Sequence, residues 1–229
     1  MGRGDYQVLD GTWQASAATS TDNNIFVVSN GALYWIAGKA VGRWGQLDGS
    51  WDTVTMAGVG DKLLLWERSN TVYRMMTRAN TWTQLTTTYA NPVCSTSLLG
   101  KLRVREGNAL YSVDPDDAAY TMYDGSWNAT QLVGIGESIY IFDHDGALYR
   151  LGVNNTGYSQ LEGSWPETMA ATAHGGRIFA VNDGALYDID PATGSYQKLD
   201  GSWSSTHLVS CAGKLYSFEA SGALYCIEV

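Results

Sequence analysis

Cysteine is scarce in this chain of 229 residues: only Cys94, Cys211 and Cys226 are present. An odd number leaves at least one unpaired, no Cys-x-x-Cys spacing occurs, and the apolar, strand-like surroundings predict buried free thiols. That is the pattern of a reducing compartment. Histidine is as sparse, with His144, His174 and His207. The three share no position in the repeat described below and have no Ser/His/Asp or HExxH partners, so they read as ordinary turn or channel residues. Basic residues are outnumbered, 14 against 23 acidic, for a net charge of −9. Such a surface repels phosphate backbones and anionic lipid, which removes nucleic acid and membrane surfaces as partners. No apolar run approaches the roughly 20 residues of a membrane span, and no charged-then-apolar leader opens the chain. The sequence therefore predicts a soluble protein, cytoplasmic or released, with no membrane insertion. Glycine-rich phosphate loops are also missing. The acidic turns Asp143-His144-Asp145-Gly146 and Asp114-Pro115-Asp116-Asp117 lack the oxygen ladder and distal glutamate of a calcium loop, and hairpin chemistry accounts for them. No cofactor, no metal and no enzymatic activity are expected.

What is abundant is tyrosine (14) and tryptophan (9), against 4 phenylalanines. These are apolar bodies with a polar tip, suited to half-buried sheet. They are also regularly spaced. Leu199-Asp200-Gly201-Ser202-Trp203 has near copies at Leu9–Trp13, Leu47–Trp51, Tyr123–Trp127 and Leu161–Trp165, and a degraded one at Leu85-Thr86-Thr87-Thr88-Tyr89. Trp13, Trp51, Tyr89, Trp127, Trp165 and Trp203 follow one another at 38 residues. A period of this size signals a solenoid, propeller or array. Units begin at residues 6, 44, 82, 120, 158 and 196, each opening on an aromatic (Tyr6, Trp44, Trp82, Tyr120, Tyr158, Tyr196). Each also carries a later tyrosine (Tyr34, Tyr73, Tyr111, Tyr149, Tyr187, Tyr225). No composition break interrupts them, so residues 1–229 are read as one domain.

Within a unit the pattern is β throughout. In residues 158–195, strands are predicted over Tyr158–Leu161, Thr168–Ala173, Ile178–Val181 and Ala185–Ile189, separated by turn signals. No window has sustained 3.6-residue periodicity, so almost no helix is expected. Gly31, Asn70, Asn108, Gly146, Gly184 and Gly222 stand before the Ala-Leu-Tyr segments and their equivalents, where a tight hairpin needs positive φ. Four-stranded units repeated radially describe a six-bladed β-propeller of antiparallel blades. The small residues Ala17, Ala18, Ala57, Gly58, Ala170 and Ala171 suit innermost strands crowded at an axis. The sixth unit stops after Ala223–Val229, one strand short. Tyr6–Leu9 is therefore expected to pair with that strand and close the ring, removing its open edge.

The run Gly175-Gly176-Arg177-Ile178-Phe179-Ala180-Val181, then Leu186-Tyr187-Asp188-Ile189-Asp190-Pro191-Ala192-Thr193-Gly194-Ser195-Tyr196, resembles the kelch type of propeller. These units are shorter than the roughly 50 residues of kelch, and most lack the double glycine. The Trp-rich turns are equally similar to the tectonin and tachylectin type of propeller lectin. The first resemblance implies a protein-interaction scaffold, the second a carbohydrate-binding protein.

The repeated acidic-Gly-Ser-Trp turn is the one constellation pointing to a ligand: Asp10 with Trp13, Asp48 with Trp51, Asp124 with Trp127, Glu162 with Trp165, and Asp200 with Trp203. An indole stacks on the C–H face of a pyranose and a carboxylate accepts bonds from its hydroxyls. Repetition on a rigid ring adds avidity. The competing reading packs the Trp between sheets and lets the Asp cap its own turn. Loss of Asp, Gly and Trp together in the third unit leans toward binding, because a turn needed for closure should not be lost. The leading expectation is a monomeric, multivalent lectin with sites at blade junctions. The alternative is a kelch-like scaffold that holds a protein partner on its top face. The tripeptide Arg3-Gly4-Asp5 and the sequons Asn128-Ala129-Thr130 and Asn154-Asn155-Thr156 are short enough to arise by chance.

Overall fold

A computed structural model describes residues 5–9, 11–21, 23–39, 42–154, 157–199 and 201–229. Asp10 and Asp200, together with Arg3, Gly4, Asn155 and Thr156 of the short motifs, lie outside the described residues.

Six four-stranded antiparallel sheets form the blades of a propeller, and no helix occurs among the described residues. Blade 1 runs from its innermost strand outward as Ala15–Thr21, Asn24–Ser29, Ala32–Ala37 and Trp44–Gly49. Blades 2 to 5 repeat this meander from innermost strands Thr53–Val59, Pro92–Leu98, Ala129–Ile135 and Thr168–His174. Blade 6 is composite. Ser205–Cys211, Lys214–Glu219 and Leu224–Ile227 come from the C-terminus, and Tyr6–Leu9 is its outermost strand. The register pairs Tyr6 with Ile227 and Leu9 with Leu224, and the Glu228 N–H donates to the Asp5 carbonyl at 2.9 Å. The closure expected from the repeat count is the one found, and the six sheets leave no unpaired strand at the seam.

The core is six clusters, each filled from two consecutive blades. Their filling alternates. Met56, Leu132 and Leu208 of blades 2, 4 and 6 supply bulk from the innermost strand toward the preceding blade. At the other three junctions the innermost strands bring smaller buried residues, Ala57, Val133, and Val209 with Cys211, and bulk comes from Trp66, Phe142 and Phe218 on the second strand. Close packing is kept by exchanging volume between two strands. The true structural period is therefore two blades, a longer repeat laid over the 38-residue one.

A polar ring adds to this at the axis. Ser20 Oγ donates to the Ser210 carbonyl (2.6 Å), Thr21 Oγ1 to the Gly60 carbonyl, and the Gly134 N–H to Thr96 Oγ1 (3.2 Å). Thr55 and Ser95 share a hydroxyl bond at 2.8 Å, Gln131 Nε2 donates to the Met169 carbonyl at 2.9 Å, and His174 Nδ1 lies 2.9 Å from Ser210 Oγ. Every junction thus carries at least one polar link near the axis. The innermost strands enclose a channel of about 310 Å³, lined by Ser20, Thr55, Ser95, Thr172, His207 and their neighbours. Burial holds His207 neutral, with its pKa lowered to about 4.

Candidate functional site

Each junction is organised by the turn from the outermost strand of one blade to the innermost strand of the next. The backbone N–H of the turn aromatic donates to a hairpin carbonyl: Trp13 to Gly222, Trp51 to Gly31, Tyr89 to Asn70, Trp127 to Asn108, Trp165 to Gly146 and Trp203 to Gly184, at 2.7–3.2 Å. The hairpin residues singled out by sequence are thus the anchors of the turns. Five have positive φ, but Asn108 does not; there the left-handed residue is Gly107, at +57°. Asparagine at 108 was expected to meet a conformational need that its neighbour meets instead.

A second bond fixes the turn from its other side. The N–H following the aromatic donates to the last side chain of the second strand: Gln14 to Ser29 (2.9 Å), Asp52 to Glu67 (2.7 Å), Ala90 to Glu106, Asn128 to Asp143 (3.0 Å) and Ser204 to Glu219 (2.6 Å). After Trp165 stands Pro166, which has no N–H, and the donor moves on to Glu167, bonding Asn182 at 3.0 Å. Asp143, read above as part of an acidic turn, is one of these acceptors, and Asp145 accepts the Ala147 N–H at 2.9 Å.

Locked in this way, the turn aromatics are buried: Trp13, Trp51, Tyr89, Trp127, Trp165 and Trp203 are 1–8% exposed. This corrects the stacking role expected of Trp13, Trp51, Trp127, Trp165 and Trp203. Their faces are covered by protein, and no pyranose can lie on them. The degraded third unit does not favour binding either, because its turn keeps the same structural role. Tyr89 keeps both the burial and the backbone bond, and adds a hydroxyl bond to the Ala118 carbonyl at 3.1 Å. Two of the acidic partners cap their own turns: Asp48 accepts the Gly49 N–H at 2.7 Å and Asp124 the Gly125 N–H at 2.8 Å. Asp124 also takes the Trp127 indole N–H at 2.9 Å. In the blade 4–5 turn the Trp165 indole donates instead to the Glu162 backbone carbonyl at 3.4 Å. Gly163 there has φ +103°, and a Cβ on it would meet the indole nitrogen at 2.5 Å. Only glycine fits between that backbone and the ring.

What the structure exposes is the other end of the aromatic stack. Tyr6, Trp44, Trp82, Tyr120, Tyr158 and Tyr196 stand at the start of the outermost strands, Trp82 as second residue and the others as first, and are 45–65% exposed. Each stands edge-on or tilted against the turn aromatic and edge-on to the third-strand tyrosine, as in Trp51–Trp82 (6.1 Å), Tyr73–Trp82 (5.8 Å), Trp127–Tyr158 (5.3 Å) and Tyr149–Tyr158 (5.8 Å). Edge-to-face packing fixes each outer ring while leaving much of its surface in water. The rim thus carries six aromatics at equivalent positions. Sequence spacing marks these residues without telling their exposure. The available signal is their polar company, as in Tyr158-Ser159-Gln160 and Tyr196-Gln197-Lys198, which suits an outermost strand.

Between blades 1 and 2 the rim opens into a groove of about 270 Å³, walled by Leu33, Leu47, Asp48, Trp51, Met75, Asn80 and Trp82. Two expected site residues, Asp48 and Trp51, meet here, with Trp51 as wall rather than platform. The three thiols are buried and unpaired, and burial raises Cys94 to about 12 and Cys211 to about 11. No cluster of metal-ligating side chains occurs among the described residues, and no helix there is long and apolar enough to cross a membrane.

No protein-family model matches the chain, and no curated protein sequence matches it. Solved structures are similar in fold. A Bacteroides thetaiotaomicron protein of unknown function aligns with TM-score 0.73 at 12% identity, over 98% of this chain and 72% of that one. An auxiliary nutrient binding protein from the same organism aligns with TM-score 0.71 at 10% identity, over 95% and 69%. PorZ, a surface component of the type-IX secretion system of Porphyromonas gingivalis, aligns with TM-score 0.62 at 14% identity over 98% of this chain. The chain spans 38% of the length of PorZ. At these identities the likeness is one of fold.

Proposed function

We propose that this propeller is a non-enzymatic, monomeric carbohydrate-binding protein that holds neutral sugars along its rim. The observation that carries the reading is the set of six exposed aromatics, Tyr6, Trp44, Trp82, Tyr120, Tyr158 and Tyr196, at equivalent positions on the outermost strands. A partner met by six like sites is itself small or repetitive, which suits glycan ends better than a folded protein. Aromatic faces take the C–H surface of a pyranose, and neighbouring side-chain oxygens and amides order its hydroxyls. Single contacts of this kind are weak, and several on one rigid ring raise apparent affinity without new contacts. The nutrient-binding neighbour is a precedent for binding on this architecture, not for the ligand.

A second reading keeps the propeller as a scaffold for a protein partner. Val93 and Met169, the bulged second residues of two innermost strands, are exposed at the end of the channel where the turns emerge. They give that face some apolar surface of the sort interfaces use.

A glycan array followed by titration of intrinsic tryptophan fluorescence decides between the readings. Rim binding predicts a fluorescence change on adding a matched sugar, lost in the double variant Trp44→Ala, Trp82→Ala. A flat response to every sugar at about 50 mM, well above the millimolar affinities of weak sites, removes the carbohydrate reading.

A further inference from the structure

The six rim positions are chemically alike but not equally open, and we propose that the groove between blades 1 and 2 is the principal site, taking one neutral pyranose residue between Asp48, Asn80 and Trp82. The inference rests on the carbohydrate reading and narrows it.

Accessibility is the first ground. At the blade 2–3 junction, the turn before the outermost strand of blade 3 lies over the corresponding space: Ala118 is fully buried against Tyr89 and takes its hydroxyl bond at 3.1 Å. At the blade 4–5 junction, the Glu162 N–H donates to the Thr193 carbonyl at 3.1 Å, and a Cβ on Gly194 would stand 2.5 Å from Glu162 nitrogen. That turn is pressed onto the site. At the blade 1–2 junction the matching turn ends in Asn80, which forms part of the groove wall and leaves it open.

Uncommitted polar groups are the second. Asp124 spends its carboxylate on both the Gly125 N–H and the Trp127 indole. Among the described residues, Asp48 holds only the N–H of Gly49. The Trp51 indole N–H, in the groove wall, has no acceptor, and the Asn80 side-chain amide makes no hydrogen bond among the described residues. Trp66 also has an unbonded indole, but it is fully enclosed in the core. Buried donors without partners are uncommon, but the Trp51 nitrogen lies beneath the groove surface, so the polar groups open to a ligand are the Asp48 carboxylate and the Asn80 amide.

Size and charge then select the ligand. About 270 Å³ lies below the pockets of roughly 300–1,000 Å³ that hold drug-sized molecules, so the groove suits a single ring. Half-buried Leu47 and the exposed face of Trp82 supply apolar surface over a floor closed by buried Leu33 and Met75, and Asp48 accepts hydrogen bonds from hydroxyls while repelling a carboxylate. Uronic acids and other anionic sugars are disfavoured.

Calorimetric titration of the full chain with a panel of methyl hexopyranosides tests this, with the matching glucuronide included. The expected isotherm is dominated by one site per chain. Trp82→Ala and the near-isosteric Asp48→Asn each weaken it about tenfold or more, while Tyr158→Ala and Glu162→Gln change it less than about twofold. Asp48→Asn should also narrow the gap between neutral sugar and glucuronide, and it disturbs folding least. Five or six equal sites, or equal loss in Tyr158→Ala, would overturn the ranking and leave the rim reading standing. No binding of any sugar removes both. Binding that survives every rim variant also removes both and moves the site off the rim.

Discussion

Glu219 accepts the backbone N–H of Ser204 at 2.6 Å and, buried in blade 6, also takes the hydroxyls of Ser204, Ser205 and Ser217. It is one of six equivalent bonds that hold the turns. Glu219→Ala would leave these donors facing an apolar void, at a cost of about 3 kcal/mol. Glu219→Gln keeps an acceptor and should lose about half as much. Urea unfolding of both variants measures it, and a midpoint unchanged in Glu219→Ala would show that the latch contributes nothing.

Removing residues 1–9 takes the outermost strand from blade 6 and bares the edge Leu224–Ile227. We expect a sharp fall in melting temperature and a concentration-dependent tendency to associate, because an open strand edge templates pairing. Calorimetry and light scattering follow the two effects. An unaltered melting temperature would mean that the closure is dispensable.

Aromatic substitutions should separate packing from surface. Trp127→Ala deletes a buried ring at the blade 3–4 junction and should cost about 3–5 kcal/mol. Tyr158→Ala, removing the exposed ring that leans on it, should cost about 1 kcal/mol, the scale of an edge-to-face pair. Equal losses in chemical denaturation would contradict the division between buried and exposed ends of the stack.

Acid should weaken the fold through His207. Its pKa is lowered to about 4 in the folded channel against about 6.5 when unfolded, so folding favours the neutral ring. Above pH 6.5 the residue contributes no pH dependence. As pH falls from 6.5 to 4 the unfolded chain binds the proton more readily and stability drops, by up to about 3 kcal/mol, with no further loss below 4. His207→Gln should flatten this window in urea midpoints compared at pH 7 and 4.5. A variant whose acid loss matches the parent would exclude His207 as the cause.

Thiol chemistry offers a further check. Cys94, Cys211 and Cys226 are buried, and their raised pKa values keep them protonated. An aromatic disulfide reagent at pH 8 should leave all three untouched in the native protein and titrate three after denaturation. Rapid reaction of any one in the native state would show local opening of its blade.

The ring was legible in the sequence because spacing is a one-dimensional quantity. Tyr6–Leu9 could be matched to the missing strand of the sixth unit by counting alone, and Ala17, Ala57 and Ala170 marked the axis by size. The candidate site was less legible because exposure is set by neighbours distant in sequence. Trp51 and Trp82 are both aromatics on the same period, yet one is covered by blades 1 and 2 and the other stands outside them. Tyr89 looked like decay of a motif and turned out to be a substitution that preserves burial. Nor does the turn motif reveal that Ala118 and Gly194 close two junctions while Asn80 leaves a third open. Those differences arise in turns where the repeat itself is irregular.

The alternation of bulk between innermost and second strands bears on how such a ring can change its size. Excising a single blade would bring blade 1 against blade 3, and neither Met56 nor Trp66 would remain to fill the seam. A hollow would replace a packed junction. Excising a neighbouring pair leaves every surviving face opposite a partner of the kind it has now, so on packing alone the ring tolerates a change of two blades better than a change of one.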